Sequence, residues 1–293
     1  MPSAYLRRRR LAVEMRKLRE ERGVTVEEVA GRIYLSKSKI TRLENAQLRP
    51  ELADIMSMLD IYEATPQQQE SILRLAREAA QRGWWDGYGM SMGPRQKIAA
   101  DFESSAQTIR SYDQTAMPGV LQTREFLAAL IELDQLQGTL EYVPERLIEA
   151  REHRQQELLR PDGPTYETIL DECVIHRLAV PPDVKAAQIR HLVSTTENEE
   201  RITFRVLPHD ALIPGGLLPK SSFYLYSFAD PGDPPTAVVD TVTTDFILTQ
   251  RKELTRYNKM YDRLREVALS TEDSITFLKQ VADGLTDEAG SKS

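Results

Sequence analysis

The chain has 293 residues, 41% hydrophobic and 28% charged, the profile of an ordinary globular protein, and its length predicts two domains at about 150 residues each. One cysteine, Cys173, excludes an intrachain disulfide framework and a cysteine-rich zinc cluster. No apolar run nears the ~18 residues that span a bilayer, and the basic start, Met1 to Arg10, lacks the apolar core of a secretory signal, so a cytoplasmic, membrane-free protein is expected. The net charge of −7 argues against a nucleic-acid partner, but it hides a split: residues 1–50 carry +7 and the remaining 243 carry −14, as expected of a basic nucleic-acid-facing module joined to an acidic body.

The first 80 residues read as short helices. Leu11, Met15 and Leu18 recur at i, i+4, i+7 on a helix ending at Gly23. Thr25 opens a second helix, with Glu28 three residues on as a capping box, and Val26, Val29, Ala30 and Ile33 face inward. Tyr34-Leu35 makes a turn, and Ser36 N-caps a third helix through Asn45 with Ile40 and Leu43 inside. A fourth runs from about Glu51 to Tyr62 with Leu52, Ile55, Met58 and Leu59 inward. Thr65-Pro66 starts a fifth, Gln67 to Gln81, with proline at the first turn, where its missing N–H costs nothing. This all-α domain spans 1–82.

Residues 83–94, with four glycines and a proline, form a connector, and its Trp84, Trp85 and Tyr88 suggest a hinge docked on the second domain. The second domain, 95–286, is expected to be α+β. Helices are predicted at 95–113, 122–136, 143–160 and 183–197. Strands are predicted at Thr165–Leu170, Ile202–Leu207, Phe223–Phe228, Ala237–Val242 and Thr244–Leu248. A long helix follows over Gln250–Leu269, then one capped by Ser270 to Asp273 and running to about Ala282. Residues 287–293 read as a disordered tail.

The second and third helices have the proportions of a helix-turn-helix, in which the second member enters the major groove. Lys37, Ser38, Lys39, Thr41 and Arg42 lie away from Ile40 and Leu43, and within this helix no acid precedes Glu44. These residue types suit base edges: lysine and arginine donate to guanine, and serine and threonine pair with either partner. Arg7, Arg8, Arg9 and Arg10, Arg32 and Arg49 suit phosphates, which fix register without reading sequence.

Leu18-Arg19, Gly23-Val24-Thr25, Val29-Ala30, Leu35 through Asn45 and Arg49-Pro50 resemble the XRE (Cro/C1-type) helix-turn-helix domain. The resemblance implies that Thr25 opens the positioning helix and makes a phosphate contact where the family often has glutamine, and that the third-helix polar residues meet DNA. Glu103, the run Met117-Pro118-Gly119-Val120-Leu121-Gln122-Thr123, Arg151 to Gln155, Asp171-Glu172-Cys173, Val206-Leu207-Pro208 and Ser270 to Ser274 extend the resemblance to the actinobacterial WhiJ-like regulators. That family joins an XRE domain to a C-terminal domain of unknown function. The resemblance implies a small partner protein encoded nearby, discussed as an antagonist or as the toxin of a pair.

Catalysis is not indicated. His153, His176, His191 and His209 are not spaced as metal ligands, and there is no Gly-x-Ser-x-Gly, phosphate-cradling Gly-Lys-Ser/Thr or Gly-x-Gly-x-x-Gly. Cys173 and His176 lie one turn apart, which suits a small buried thiol better than a catalytic pair. Ile213 to Leu218 is a glycine-containing loop. Asp171 and Glu172 are adjacent and point apart, whereas acid/base work needs convergence. No cofactor or metal is expected. Convergence of Glu103, Gln122, Arg151, Arg154 and Gln155 on one cavity would make a site for a polar effector or partner. The expected protein is a sequence-specific regulator that binds double-stranded DNA as a homodimer. An unknown small-molecule effector or small partner protein would modulate it. The alternative is an antitoxin-like protein that sequesters its partner and autoregulates.

Overall fold

Caps and apolar spacing set the helices of the first unit. The computed structural model describes residues 2–177, 180–216 and 218–290, which divide into two compact units, 1–87 with 230–233, and 88–229 with 234–293. The division falls inside the connector, between Gly87 and Tyr88.

The first unit holds α1 (Ala4–Glu21), α2 (Val26–Arg32), α3 (Lys37–Glu44), α4 (Leu52–Ile61) and α5 (Pro66–Ala79). Side-chain oxygens of Ser3, Thr25, Ser36 and Thr65 accept backbone N–H groups at four of the five N-termini, and Thr25/Glu28 and Thr65/Gln68 close capping boxes. Gly23 ends α1 at φ +65, left-handed backbone that glycine adopts without a Cβ penalty. Leu11, Met15, Leu18, Val29, Ala30, Ile40, Leu43, Ile55, Met58 and Leu59 form one core with Ile72, Leu75 and Ala76 of α5. Leu52 departs from expectation: at the first residue of α4 it is exposed.

The second unit is a six-stranded mixed sheet with helices. Its strands are β1 (Ala106–Asp113), β2 (Thr165–Asp171), β3 (Ile202–Leu207), β4 (Phe223–Phe228), β5 (Thr236–Val239) and β6 (Phe246–Leu248), in the order β3-β2-β1-β4-β5-β6. The β3-β2-β1 half is parallel, and β1-β4-β5-β6 pair antiparallel. Helices α6 (Pro94–Ser105), α7 (Arg124–Gln137), α8 (Pro144–Leu159), α9 (Glu172–His176), α10 (Pro182–Asn198), α11 (Arg251–Val267) and α12 (Thr271–Gly290) complete the unit. α11 packs Met260, Tyr261 and Leu264 on the face carrying Tyr112, Ile169, Phe223 and Leu225.

Two expectations are corrected. The helix predicted over 95–113 stops at Ser105, and 106–113 is β1, a central strand. Toward its end β1 turns Ser111 and Asp113 inward against hydroxyls, so its polar residues conceal the strand. The last helix continues past Ala282 to Gly290, so 287–290 are helical rather than tail. Residues 291–293 of the predicted tail, and Leu217 of the glycine loop, lie outside the described residues.

Candidate DNA-reading helix and a cavity in the second unit

In the first unit, α2 and α3 are joined by a turn centred on Tyr34, which is 95% exposed at φ 56. Ile40 and Leu43 bury one side of α3, leaving Lys37, Ser38, Thr41 and Arg42 exposed on the other. Arg42 and Arg32 take no ion pair among the described residues. The remaining cations are more committed. Lys37 pairs with Glu27 at 2.8 Å, and Lys39 is held by Asp54 at 2.6 Å and Glu51 at 3.0 Å. These two carboxylates, at the N-cap and first turn of α4, raise the Lys39 ammonium above the usual lysine range.

α3 is fixed from behind. The Arg19 guanidinium of α1 grips the buried Glu44 carboxylate with two bonds, Nε to Oε1 at 2.7 Å and Nη2 to Oε2 at 2.9 Å. Arg16 adds a bond to the Glu44 carbonyl at 2.7 Å.

The phosphate-contact expectation is corrected at Arg7. It is 5% exposed, with Asp230 at 2.6 Å, Asp233 at 3.1 Å and Glu78 at 3.3 Å, so three acids already neutralise it. Arg10 leans on Asp233 at 3.6 Å and Arg49 pairs with Asp86 at 2.6 Å; to reach a phosphate, each would have to leave an acid. Thr25 is exposed, but its hydroxyl and backbone N–H are occupied by Glu28. Arg8 and Arg9 are half-buried.

In the second unit, Glu103 of α6 meets α8. Glu103 and Arg154, both over nine-tenths buried, form a bidentate pair, Nε to Oε2 at 2.8 Å and Nη2 to Oε1 at 2.5 Å. With Arg151, Gly119, Phe102, Tyr224 and Tyr226 they line a cavity of about 410 Å³. A neighbouring cavity of about 750 Å³ shares Arg151 and reaches Gln122, Met92, Leu127, Ile131 and Leu147. Three of the five expected residues, Glu103, Arg151 and Arg154, therefore meet on one cavity, and Gln122 meets Arg151 on the next. Gln155 lines neither; it donates to the Gln122 carbonyl at 2.6 Å.

Sequence reasoning missed the hydroxyl cluster behind this cavity. Asp113 accepts from Ser111 at 2.7 Å, Tyr224 at 2.8 Å and Thr168 at 3.1 Å. Burial pushes its carboxyl up to about 6 against those hydrogen bonds. The available signal was Tyr224 and Tyr226 two apart on β4, since alternate residues of a strand share a face; the rings stack 6.3 Å apart.

A second group of titratable residues gathers around Asp171 and Glu172, outside both cavities. Asp171 caps α9 and takes the Tyr112 hydroxyl at 2.9 Å, and its hydrogen bond with the Cys173 thiol pushes that thiol up. His176 and His209 turn to Glu172 at 3.2 and 2.7 Å. The two adjacent acids face different partners.

An exposed polar helix after a tight turn, braced by a buried ion pair, defines a helix-turn-helix DNA-binding regulator. Residues 10–72 match the helix-turn-helix domain family. Residues 96–280 match a domain of unknown function, DUF5753, and the chain belongs to that family. No curated protein and no solved structure matches it. No helix among the described residues is long and apolar enough to cross a membrane.

Proposed function

We propose that the protein is a cytoplasmic, sequence-specific transcriptional regulator of the WhiJ-like kind. It reads duplex DNA through α3 as a homodimer, and the second unit serves as its effector or partner module rather than as an enzyme. The supporting observation is the composition of the outer face of α3: Ser38, Thr41 and Arg42 are exposed together, with Arg42 unpaired. One such helix reads only a short half-site, so two copies would bind half-sites about one helical turn, or a multiple, apart. Genome-wide mapping of bound sites, followed by sedimentation of the protein with the recovered duplex, tests this. A common inverted repeat carrying two chains is expected. Bound fragments with no shared sequence, or one chain per site, would overturn it.

A further inference from the structure

α8 carries two arginines one turn apart with opposite surroundings. Arg154 is neutralised by Glu103. Arg151 takes no hydrogen bond and no ion pair among the described residues, although it stands on the wall common to both cavities. Its guanidinium lies against the backbone of Gly119, where an added Cβ would sit 1.5 Å from Nη1. A residue larger than glycine at 119 would therefore displace the end of the Arg151 side chain. Burial, reinforced by the like charge of Arg154, pulls Arg151 down to about 9.

The larger cavity supplies two further features. Met92, Leu127, Ile131 and Leu147 give it an apolar side. Gln122 is 8% exposed; its amide N–H donates to the Met117 carbonyl at 2.9 Å, while its Oε1 is buried without a partner. A buried acceptor without a donor costs about 1–3 kcal/mol. Apart from Arg151, its charged lining is Lys97, Asp134 and Glu141, a balance that disfavours a dianion.

We propose that Arg151 clamps the carboxylate of a small organic monoacid whose hydroxyl or N–H donates to Gln122 Oε1 and whose apolar body lies along Leu127 and Ile131. Guanidinium and carboxylate match as a two-bond fork. The proposal rests on the reading of the second unit as an effector module and names the effector's chemical class. Glu103 already pairs with Arg154, which leaves Arg151 for the ligand.

Calorimetry on the full chain with mandelate, benzoate, benzyl alcohol and phenyl phosphate tests this. Mandelate, which has carboxylate, hydroxyl and ring, should bind best; benzoate should bind more weakly and benzyl alcohol not at all. Arg151→Met removes a half-buried, unpaired cation, so it should fold at least as well as the parent. It should lose mandelate affinity by about 10- to 100-fold, the worth of a charged hydrogen bond. In the parent protein, mandelate should also shield Arg151 from phenylglyoxal, read by peptide mass. The assignment falls if none of the acids binds, if Arg151→Met binds mandelate as the parent does, or if phenyl phosphate binds tightest. If mandelate binds through Arg151 but leaves operator affinity unchanged, the site stands and the regulatory reading of the second unit fails.

Discussion

Arg19 and Glu44, twenty-five residues apart, join the last turn of α1 to the last residue of α3 through two parallel hydrogen bonds at 2.7 and 2.9 Å. Glu44 is 5% exposed, and with Arg19 gone only Arg16, at 3.8 Å, would face its carboxylate. Breaking a buried pair costs about 3–5 kcal/mol. Glu44→Ala should destabilise the first unit by that order, measured by urea unfolding followed in the far ultraviolet. A loss under about 1 kcal/mol, the worth of a surface pair, would show that solvent already screens the contact.

The outer face of α3 divides its cations by availability. Arg42→Ala should weaken the cognate duplex by about 1–3 kcal/mol and random DNA much less. Arg32→Ala should weaken both and lower the salt slope by about one. Lys39, committed to Asp54 and Glu51, should lose less on the cognate site than Arg42. Titrations at several salt concentrations separate the three. Equal losses on cognate and random DNA for Arg42→Ala would remove it from base reading.

Much of this was legible in the sequence, for identifiable reasons. In the first unit, local signals agree with tertiary packing: Thr25, Ser36 and Thr65 cap where they stand, and the apolar spacing of α1 to α5 matches the buried side. β1 was concealed because Ser111 and Asp113 face inward, and inward polar residues look like a helix's solvent side until their partners on β2 and β4, 57 and 111 residues later, are in place. Arg7 failed as a phosphate contact for the same reason, since Asp230 and Asp233 are more than 220 residues away in sequence. Glu103, Arg151 and Arg154 could be picked out as charged residues but not as one paired and one unpaired arginine.

Asp113 should give the second unit a distinctive pH response. Its carboxyl titrates near 6 in the fold, against 3.8 ordinarily, so between those values the folded state binds the extra proton. Stability therefore falls as pH rises from about 4 to 6, by at most about 3 kcal/mol at two pKa units. Asp113→Asn should flatten this slope in thermal melts from pH 4 to 7. An unchanged slope would assign the response elsewhere.

Glu103 and Arg154 offer a double-mutant cycle. Glu103→Leu alone leaves a buried guanidinium unpaired and should cost about 3–5 kcal/mol, whereas Glu103→Leu with Arg154→Met should recover most of that loss. If the two losses simply add, the pair is not energetically coupled despite its geometry.

The position of β1 also has a consequence during synthesis. It ends at Asp113, pairs with β2 from Thr165, and meets its other neighbour only when β4 begins at Phe223. At 5–20 residues per second, the ribosome takes roughly 6 to 20 s to bridge the 110 residues from Asp113 to Phe223. For that interval a strand carrying Ile109 and Tyr112 has an open edge, which is a template for pairing with the wrong chain. The central strand of the finished sheet is thus an open edge on the nascent chain, and crowding of ribosomes on one message should lower the yield of this protein.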